Sequence, residues 1–402
     1  MVAEPPAGRG RLSGSACVAL VLRNVAIASV RRGEGYTYGP VRAVLALVIV
    51  MVALPAATLA DDPDGGQRAW SPARSSRCDG PHTGPLVYHW PIKPFDRQHP
   101  VRGFFGDPRT VVDAEGEPGD TTPLTPGSYT FHNGIDISAA TGTAVYPVVS
   151  GRAGIGYADE VIVVTGDGRT FQYFHIHPAV TRGEHVVAEK TVIGYVLPGW
   201  FHVHLSEIDG FRVHNPLDPG HLEPYRDHTV PVVHRIEATG LHGFVRLAAD
   251  ASDMPPLAVP GAWFGFPVTP AVIAWRLKRA HGRVVVPWRT AVDFRRTEPS
   301  NTRFWQIYAP GTYQNFPVFG RRYFSHRAGR YLFELTRQPL DTRRFANGAY
   351  VLTVRAGDVC GNTGTLRVPL RIDNAQPVLR SAAAMPAIER SSGATASSSP
   401  VR

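Results

Sequence analysis

The sequence predicts a mostly β fold, and three observations lead to this prediction. Proline and glycine are abundant, at 36 and 40 of 402 residues. No uninterrupted helical period of useful length appears. Short segments such as "EVIVVTG" and "YVLTVRA" are instead separated by turn residues, which is typical of many short strands. A chain of this length with 43% hydrophobic residues can bury more than one core, so we expect two or three domains.

The charge balance is basic, with a formal net charge of +9. Residues 1–60 hold six arginines and two glutamates, so a chain that begins near Asp61 carries about +5. Such an excess would attract an anionic polymer such as a cell wall, although arginine usage in a GC-rich genome explains it equally well. No basic run is interleaved with aromatic residues, and therefore we predict no nucleic-acid partner.

The amino-terminal region resembles an export signal. Residues 43–60, "AVLALVIVMVALPAATLA", follow several arginines and end with small residues before the acidic "DDPDGG". Residues 1–60 are therefore predicted to be a signal peptide, with an uncleaved membrane anchor as the alternative. Either reading predicts an exported protein, secreted or held at the cell surface. Cys78 and Cys360 then lie in a compartment that permits disulfides, and the sequence leaves open whether they pair.

The remaining chain divides by composition. Residues 61–85 are polar and predicted to be a linker, and residues 86–222 form a first β-rich block. Residues 228–373 form a second block of short strands with turns, which predicts a β-sandwich. The Ala/Ser/Pro-rich tail, residues 374–402, is predicted to be disordered.

Three segments of the first block each place two polar side chains on one side of an extended chain. They are "FHNGIDIS", "FQYFHIH" and "FHVHLSE", which contain His132 with Asp136, Tyr173 with His175, and His202 with His204. Two imidazoles and a carboxylate, with one position left open, are the ligand set of a catalytic zinc site. A further neutral imidazole beside such a site can orient water or move its proton.

The ordered motifs H-x-x-x-D, Y-x-H and H-x-H resemble those of lysostaphin-type, or LytM-like, zinc endopeptidases of bacterial cell walls. The segments "TGTAVYPVVSGR", "RGEHVVAEKTVIGYV" and "NPLD" are also similar to supporting segments of that family. The resemblance covers roughly residues 88–222 and implies a β-sheet peptidase domain. It implies Zn2+ ligands at His132, Asp136 and His204, and catalytic roles for His175 and His202.

One position departs from the family pattern. The family usually has a glutamate two residues after the second histidine of H-x-H, whereas here Ser206 stands between Leu205 and Glu207. The departure lies after the expected ligand, so we expect the metal geometry to survive it. It puts any role of Glu207 in doubt.

The second block resembles immunoglobulin-like modules of secreted bacterial proteins in its segment "NGAYVLTVRAGDVCGNTG". Asp341 and Asp358 lie near turns there, and without a D-x-D-x-D series the pattern favours turns over calcium ligands.

The function that the sequence predicts is hydrolysis of peptide bonds in peptidoglycan by a secreted zinc metalloendopeptidase. Two alternatives stand beside it. One is a non-catalytic relative that binds the wall or activates other hydrolases. The other is an adhesin in which the peptidase domain is accessory.

Overall fold

The computed structural model describes residues 69–110, 129–239, 242–316 and 327–375. Strands dominate these residues, which confirms the predicted mostly β fold. Within the described residues no helix is both long enough and apolar enough to cross a membrane. The predicted signal or anchor at residues 1–60 and all but two residues of the predicted tail lie outside the described ranges.

The first block is built from thirteen short strands. They are β2 (Val101–Gly103), β3 (Pro108–Arg109), β4 (Thr130–Phe131), β5 (Ile135–Ser138), β6 (Ala144–Val145), β7 (Gly151–Ile155), β8 (Glu160–Val164), β9 (Thr170–Phe174), β10 (Ile176–Pro178), β11 (His185–Val186), β12 (Gly194–Val196), β13 (His202–Asp209) and β14 (Arg212–His214). The main sheet has the order β11-β7-β8-β9-β13-β5-β2, with β14 also paired to β13. Its sequential hairpins follow from Gly-containing turns such as "GDG" at residues 166–168.

The second block is a sandwich of two antiparallel sheets. Its strands are β15 (Val232–Thr239), β16 (Phe244–Ser252), β17 (Val272–Arg279), β18 (Val284–Asp293), β19 (Leu332–Glu334), β20 (Leu340–Asp341), β21 (Gly348–Gly357) and β22 (Thr363–Ile372). One sheet contains β15-β16-β19 with β20 at its side, and the other contains β22-β21-β17-β18. Burial alternates along β16 and β17, as expected for strands with one face in the core. The immunoglobulin-like assignment of this sandwich stays a prediction.

Helical structure in the described residues is confined to single turns. They are the helix Phe304–Ile307 and the 3-10 turns Gly261–Trp263, Asn301–Arg303 and Thr342–Arg344.

The predicted linker contains a strand, so the prediction for residues 61–85 is wrong over part of its length. β1 (Ala69–Ala73) pairs antiparallel with β22 and becomes the edge strand of the larger sandwich sheet. Pro72 is compatible with this position because an edge strand can leave one side of its backbone unpaired. The proline and serine content that suggests a linker is therefore equally suited to an edge strand. Beyond β1, Cys78 forms a disulfide with Cys360.

The two blocks share a packed interface next to the residues that carry the predicted site. Rings of Phe131, Phe294, Phe304 and Tyr308 lie with centroids 5.2–6.3 Å apart. The Tyr308 hydroxyl donates to the Gly106 carbonyl at 2.7 Å. Because Gly106 in turn donates to the carbonyl of His132, the sandwich supports the loop that holds this histidine.

Candidate metal centre

Three adjacent strands of the main sheet bring the predicted site residues together. β13 lies between β9 and β5, and in the register His204 stands opposite Asp136 on one side and Phe174 on the other. His202 and His204 share a face of β13 because side chains alternate along a strand. His132 precedes β5, and His175 follows directly after β9. Residues up to 72 positions apart in the sequence thus converge at one end of the sheet.

The three predicted ligands form a compact triangle of donor atoms. His132 Nε2 lies 2.9 Å from His204 Nδ1 and 3.0 Å from Asp136 Oδ1. His204 Nδ1 lies 3.2 Å from the same carboxylate oxygen. All three side chains are buried, and their donor atoms are close enough together to share one metal ion.

A neighbouring carbonyl fixes which nitrogen of His132 carries hydrogen, and a neighbouring hydroxyl allows the matching arrangement in His204. His132 Nδ1 lies 2.9 Å from the carbonyl oxygen of Phe104, which can only accept, so Nδ1–H donates and Nε2 presents its lone pair. His204 Nε2 lies 2.8 Å from Ser206 Oγ, and with Nε2–H donating there, Nδ1 presents its lone pair. This pattern, in which the second nitrogen of a ligand histidine is held by a hydrogen bond, is common around metal ions.

Burial keeps the imidazoles neutral. It lowers the pKa of His132 to about 3, with the nearby Arg109 acting in the same direction. Burial likewise lowers the pKa of His204. Burial acts to raise the pKa of Asp136, but His132 and His202 outweigh it and hold that pKa well below its ordinary value. The group therefore consists of two neutral imidazoles and a carboxylate.

These residues fit a four-coordinate zinc ion. Zinc–ligand bonds of about 2.0–2.1 Å in a tetrahedron place the donor atoms about 3.3 Å apart, close to the separations found here. Three lone-pair-bearing atoms also converge with no proton donor of their own in the tautomers described above, an arrangement that a cation relieves. Asp136 Oδ2 is taken by Arg109 Nη2 at 3.0 Å, which leaves Oδ1 directed to the triangle.

His202 and His175 lie beside the triangle. His202 Nδ1 donates to the Trp200 carbonyl at 2.8 Å, and its Nε2 lies 3.4 Å from Asp136 Oδ1. The rings of His175 and His202 have centroids 4.6 Å apart. Burial lowers the pKa of His202 to about 4, and Arg102 adds to that lowering against the opposing effect of Asp136.

The expectation that Tyr173 and His175 share one side of a strand is wrong. β9 ends at Phe174, and His175 has a left-handed backbone with φ of 66°, so the alternation stops there. Tyr173 is fully buried and its hydroxyl accepts from the backbone N–H of Val148, whereas the ring of Phe174 contacts His204. His175 reaches the site through its backbone conformation, a strained one that is often found at functional positions.

Several side chains at the site were not singled out from the sequence. Asp159 Oδ2 lies 3.3 Å from His175 Nδ1. Arg102 Nη2 lies 3.4 Å from His202 Nε2, and Arg109 pairs with Asp136. The segment "VRGFFGDPR" contains both arginines, but nothing in its pattern distinguishes them from surface charges.

The second block contributes a side chain to the surroundings of His202. The guanidinium carbon of Arg102 lies 4.2 Å from the ring centroid of Trp263, which belongs to the 3-10 turn Gly261–Trp263. A cation over an indole face is held by about 0.5–2 kcal/mol. Trp263 therefore helps to position the arginine that faces His202.

The positions of Gly134 and Ser206 account for the glycine after His132 and for the serine after the H-x-H pair. A Cβ on Gly134 would lie 2.3 Å from the Leu205 carbonyl oxygen, so only glycine permits this approach of the loop to β13. Ser206 lies on the same face as His204 and contacts it. Glu207 points the other way and is buried with Tyr88 Oη at 2.7 Å and His221 Nδ1 at 2.8 Å, so it lies away from the centre.

Comparisons with known proteins add a likeness of fold. No protein-family model matches this chain, and no curated protein matches it. One chain from the structure of the SpoIIQ–SpoIIIAH pore-forming complex aligns with this chain at 21% identity and a TM-score of 0.25. The alignment covers 34% of this chain and 92% of that chain. A zinc-containing peptidase from Vibrio cholerae aligns with 30% of this chain, at 19% identity and a TM-score of 0.22, and this chain spans only 36% of that protein. An M23 metalloprotease from the deep sea, pseudoalterin, aligns at 14% identity and a TM-score of 0.23. The alignment covers 36% of this chain and 82% of that chain.

These likenesses concern a mostly β fold over about a third of this chain. At such TM-scores they carry no argument about activity. The chemistry of the site is therefore inferred from its own geometry.

Proposed function

We propose that this chain is an exported zinc metalloendopeptidase that hydrolyses peptide bonds in bacterial peptidoglycan. The observation that carries the proposal is the triangle of His132 Nε2, Asp136 Oδ1 and His204 Nδ1, with edges of 2.9–3.2 Å. The same three residues are the ligands implied by the order of sequence motifs. The peptidoglycan substrate rests on that family resemblance, and export rests on the predicted signal together with the Cys78–Cys360 disulfide.

Zinc bound by this triad would supply a Lewis acid that polarises a peptide carbonyl and makes water more acidic. The chain's own residues then handle protons. His202 is held neutral with Nε2 free of hydrogen, because Nδ1 donates to the Trp200 carbonyl, so it is the group suited to accept a proton from attacking water.

His175 is the group suited to deliver a proton to the leaving amine. Its Nδ1 lies 3.3 Å from the carboxylate of Asp159, which can accept a hydrogen bond from Nδ1–H and hold the ring in position. Arg102, next to His202, adds a positive charge to the site, and such a charge would stabilise the negative charge that develops on a substrate carbonyl oxygen. Trp200 and Phe201 are partly exposed beside these groups and offer apolar surface to a bound peptide.

The test is digestion of purified peptidoglycan by the full chain, with new amino termini measured by mass spectrometry. We expect wild type to release them, a chelator to abolish the release, and one equivalent of zinc to restore it. His204→Ala should bind no zinc at this site and lose activity by about 1,000-fold or more, since it removes a ligand. His185→Ala, at an exposed position of β11, is the matched control and should retain both properties.

The readout of zinc content separates the possible failures. Equal digestion by wild type, chelated protein and His204→Ala would refute zinc catalysis. Zinc binding without digestion would favour a non-catalytic wall-binding role.

A further inference from the structure

A second group of acidic side chains lies at the junction of the two blocks. Asp227 belongs to the connector before β15, Asp253 follows β16 and Asp358 follows β21. One carboxylate oxygen from each lies within 4.8 Å of the others. The three residues are only 1–2% exposed.

The negative charge of this group has no close positive partner within the parts of the chain that the structure describes. The adjacent His228 pairs with Asp79 instead, at 3.3 Å. Burial, followed by mutual repulsion, raises the pKa of Asp358 to about 7 and that of Asp253 well above its ordinary value. Burying unpaired carboxylates together is unfavourable unless a cation or a proton compensates for them.

A separate observation indicates that a ligand is needed. Asp253 Oδ1 accepts from the backbone N–H of Met254 at 2.8 Å, but Oδ2 is fully buried and has no hydrogen-bond partner among the described residues. Buried polar atoms almost always have a partner. An unsatisfied carboxylate oxygen inside a group of three carboxylates is suited to a cation.

The donor atoms favour a hard divalent cation. The group offers oxygen atoms alone, from the three carboxylates and from the hydroxyl of Thr229, which contacts both Asp227 and Asp253. Calcium accepts six to eight oxygen ligands in flexible geometry, whereas magnesium usually retains several of its waters. The three aspartates are only 1–2% exposed, so this buried place suits calcium better than magnesium.

We propose that Asp227, Asp253 and Asp358 bind one calcium ion that fastens the connector between the two domains to both sheets of the sandwich. Asp253 follows a strand of one sheet and Asp358 follows a strand of the other, while Asp227 supplies the connector. The sequence around Asp358 favours a turn over a calcium site. It gives no sign of the proposed site because the three ligands come from separate segments of the chain.

Asn362 links the same region to the amino-terminal strand. Its Nδ2 donates to the Asp227 carbonyl at 2.8 Å, and its Oδ1 accepts from the backbone N–H of Ser75 at 2.8 Å. Cys360 lies two residues away and is bonded to Cys78. The calcium ion and the disulfide would therefore stabilise one structural junction.

The test is calcium titration of the chelator-treated full chain by calorimetry and thermal unfolding. The His204→Ala background removes the zinc triad, so that calcium is measured at the aspartates. We expect one calcium per chain with a dissociation constant of about 10⁻⁴–10⁻³ M. Calcium in about 100-fold excess over that constant should raise the unfolding midpoint by about 5 °C.

Asp253→Asn should abolish the binding and the shift, and Asp358→Asn should weaken the binding at least tenfold and reduce the shift to about half or less. Removing one charge relieves repulsion, so calcium-free Asp253→Asn should be at least as stable as the calcium-free parent. Asp341→Asn, at the other aspartate considered from the sequence, is the matched control and should change neither result.

Two outcomes would overturn the proposal. One is no calcium binding by the parent chain up to 10-fold above the expected dissociation constant. The other is equal binding by the parent and by Asp253→Asn. If Asp253→Asn fails to fold, the parent titration and Asp358→Asn decide the question.

Discussion

The imidazole of His175 stacks on the indole of Trp200, with ring centroids 3.7 Å apart and ring planes inclined by 11°. The carbonyl of the same tryptophan accepts from His202 Nδ1. One residue therefore contacts both of the predicted catalytic histidines, through its ring and through its backbone. Its side chain can be changed while the backbone contact is retained.

Trp200→Ala should lower kcat by about two- to tenfold, because an aromatic stack contributes about 0.5–1.5 kcal/mol and here it orients His175. Trp200→Phe should recover most of the loss, and zinc content should stay at the wild-type level in both. Phe211→Ala, at an 89% exposed aromatic beyond the far end of β13, is the matched control for loss of apolar surface. An unchanged kcat in Trp200→Ala would show that the stack does not position His175.

The choice of His132, Asp136 and His204 as proposed ligands rests on the family resemblance of the motifs, but part of their clustering follows from the sequence for a physical reason. Alternation along strands has a fixed period of two, so H-x-H places two imidazoles on one face wherever the strand lies. His175 escapes this rule because its backbone is left-handed, and a single positive φ leaves no signature in a histidine. Asp159, Arg102 and Trp263 escape it because their contacts depend on tertiary packing between segments that no local pattern relates.

Two features of the fold, strand β1 and the group of Asp227, Asp253 and Asp358, also depend on tertiary packing that no local sequence pattern predicts. Pro72 permits an edge strand but does not require one, so composition alone favours a linker. The aspartates stand 26 and 105 residues apart along the chain, and none carries a local ligand motif. Only the folded arrangement of the two sheets and the connector brings them together.

Ser206 provides a direct test of how the proposed zinc ligand His204 is oriented. Ser206→Ala removes the hydrogen bond to His204 Nε2, so zinc affinity should fall by about 10- to 100-fold, measured by competition with a chromogenic chelator. Ser138→Ala is the matched control, since Ser138 stands opposite His202 and its buried hydroxyl has no hydrogen-bond partner among the described residues. Equal zinc affinity in the two variants would mean that Ser206 does not orient His204.

The disulfide should make a measurable contribution to stability. Cys78 and Cys360 are buried and 282 residues apart, so the bond restricts a long loop of the unfolded chain. Replacing both by serine should lower the free energy of unfolding by about 2–5 kcal/mol, seen as a lower unfolding midpoint. Reductant should lower the wild-type midpoint similarly and leave the double variant unchanged. A reductant effect on the double variant would exclude the disulfide as the cause.

Glu298 should make stability depend on pH through a carboxyl that lies away from both proposed metal sites. Its backbone N–H donates to the Val213 carbonyl at 3.1 Å, where the segment after β18 meets β14. Burial raises the pKa of its carboxyl to about 8, against an ordinary value of 4.5. Between pH 4.5 and 8 the folded state thus retains a proton that the unfolded chain has already released.

Because the folded pKa is the higher one, this carboxyl costs nothing below pH 4.5 and destabilises the folded state increasingly as the pH rises towards 8. Glu298→Gln cannot ionise, so its unfolding midpoint should match wild type near pH 4 and exceed it at pH 8. Thermal unfolding across this range measures the difference. Thr297→Ala, a neighbour without a titrating group, should give an offset that does not vary with pH. A constant offset for Glu298→Gln as well would mean that the carboxyl is already ionised in the folded protein at neutral pH.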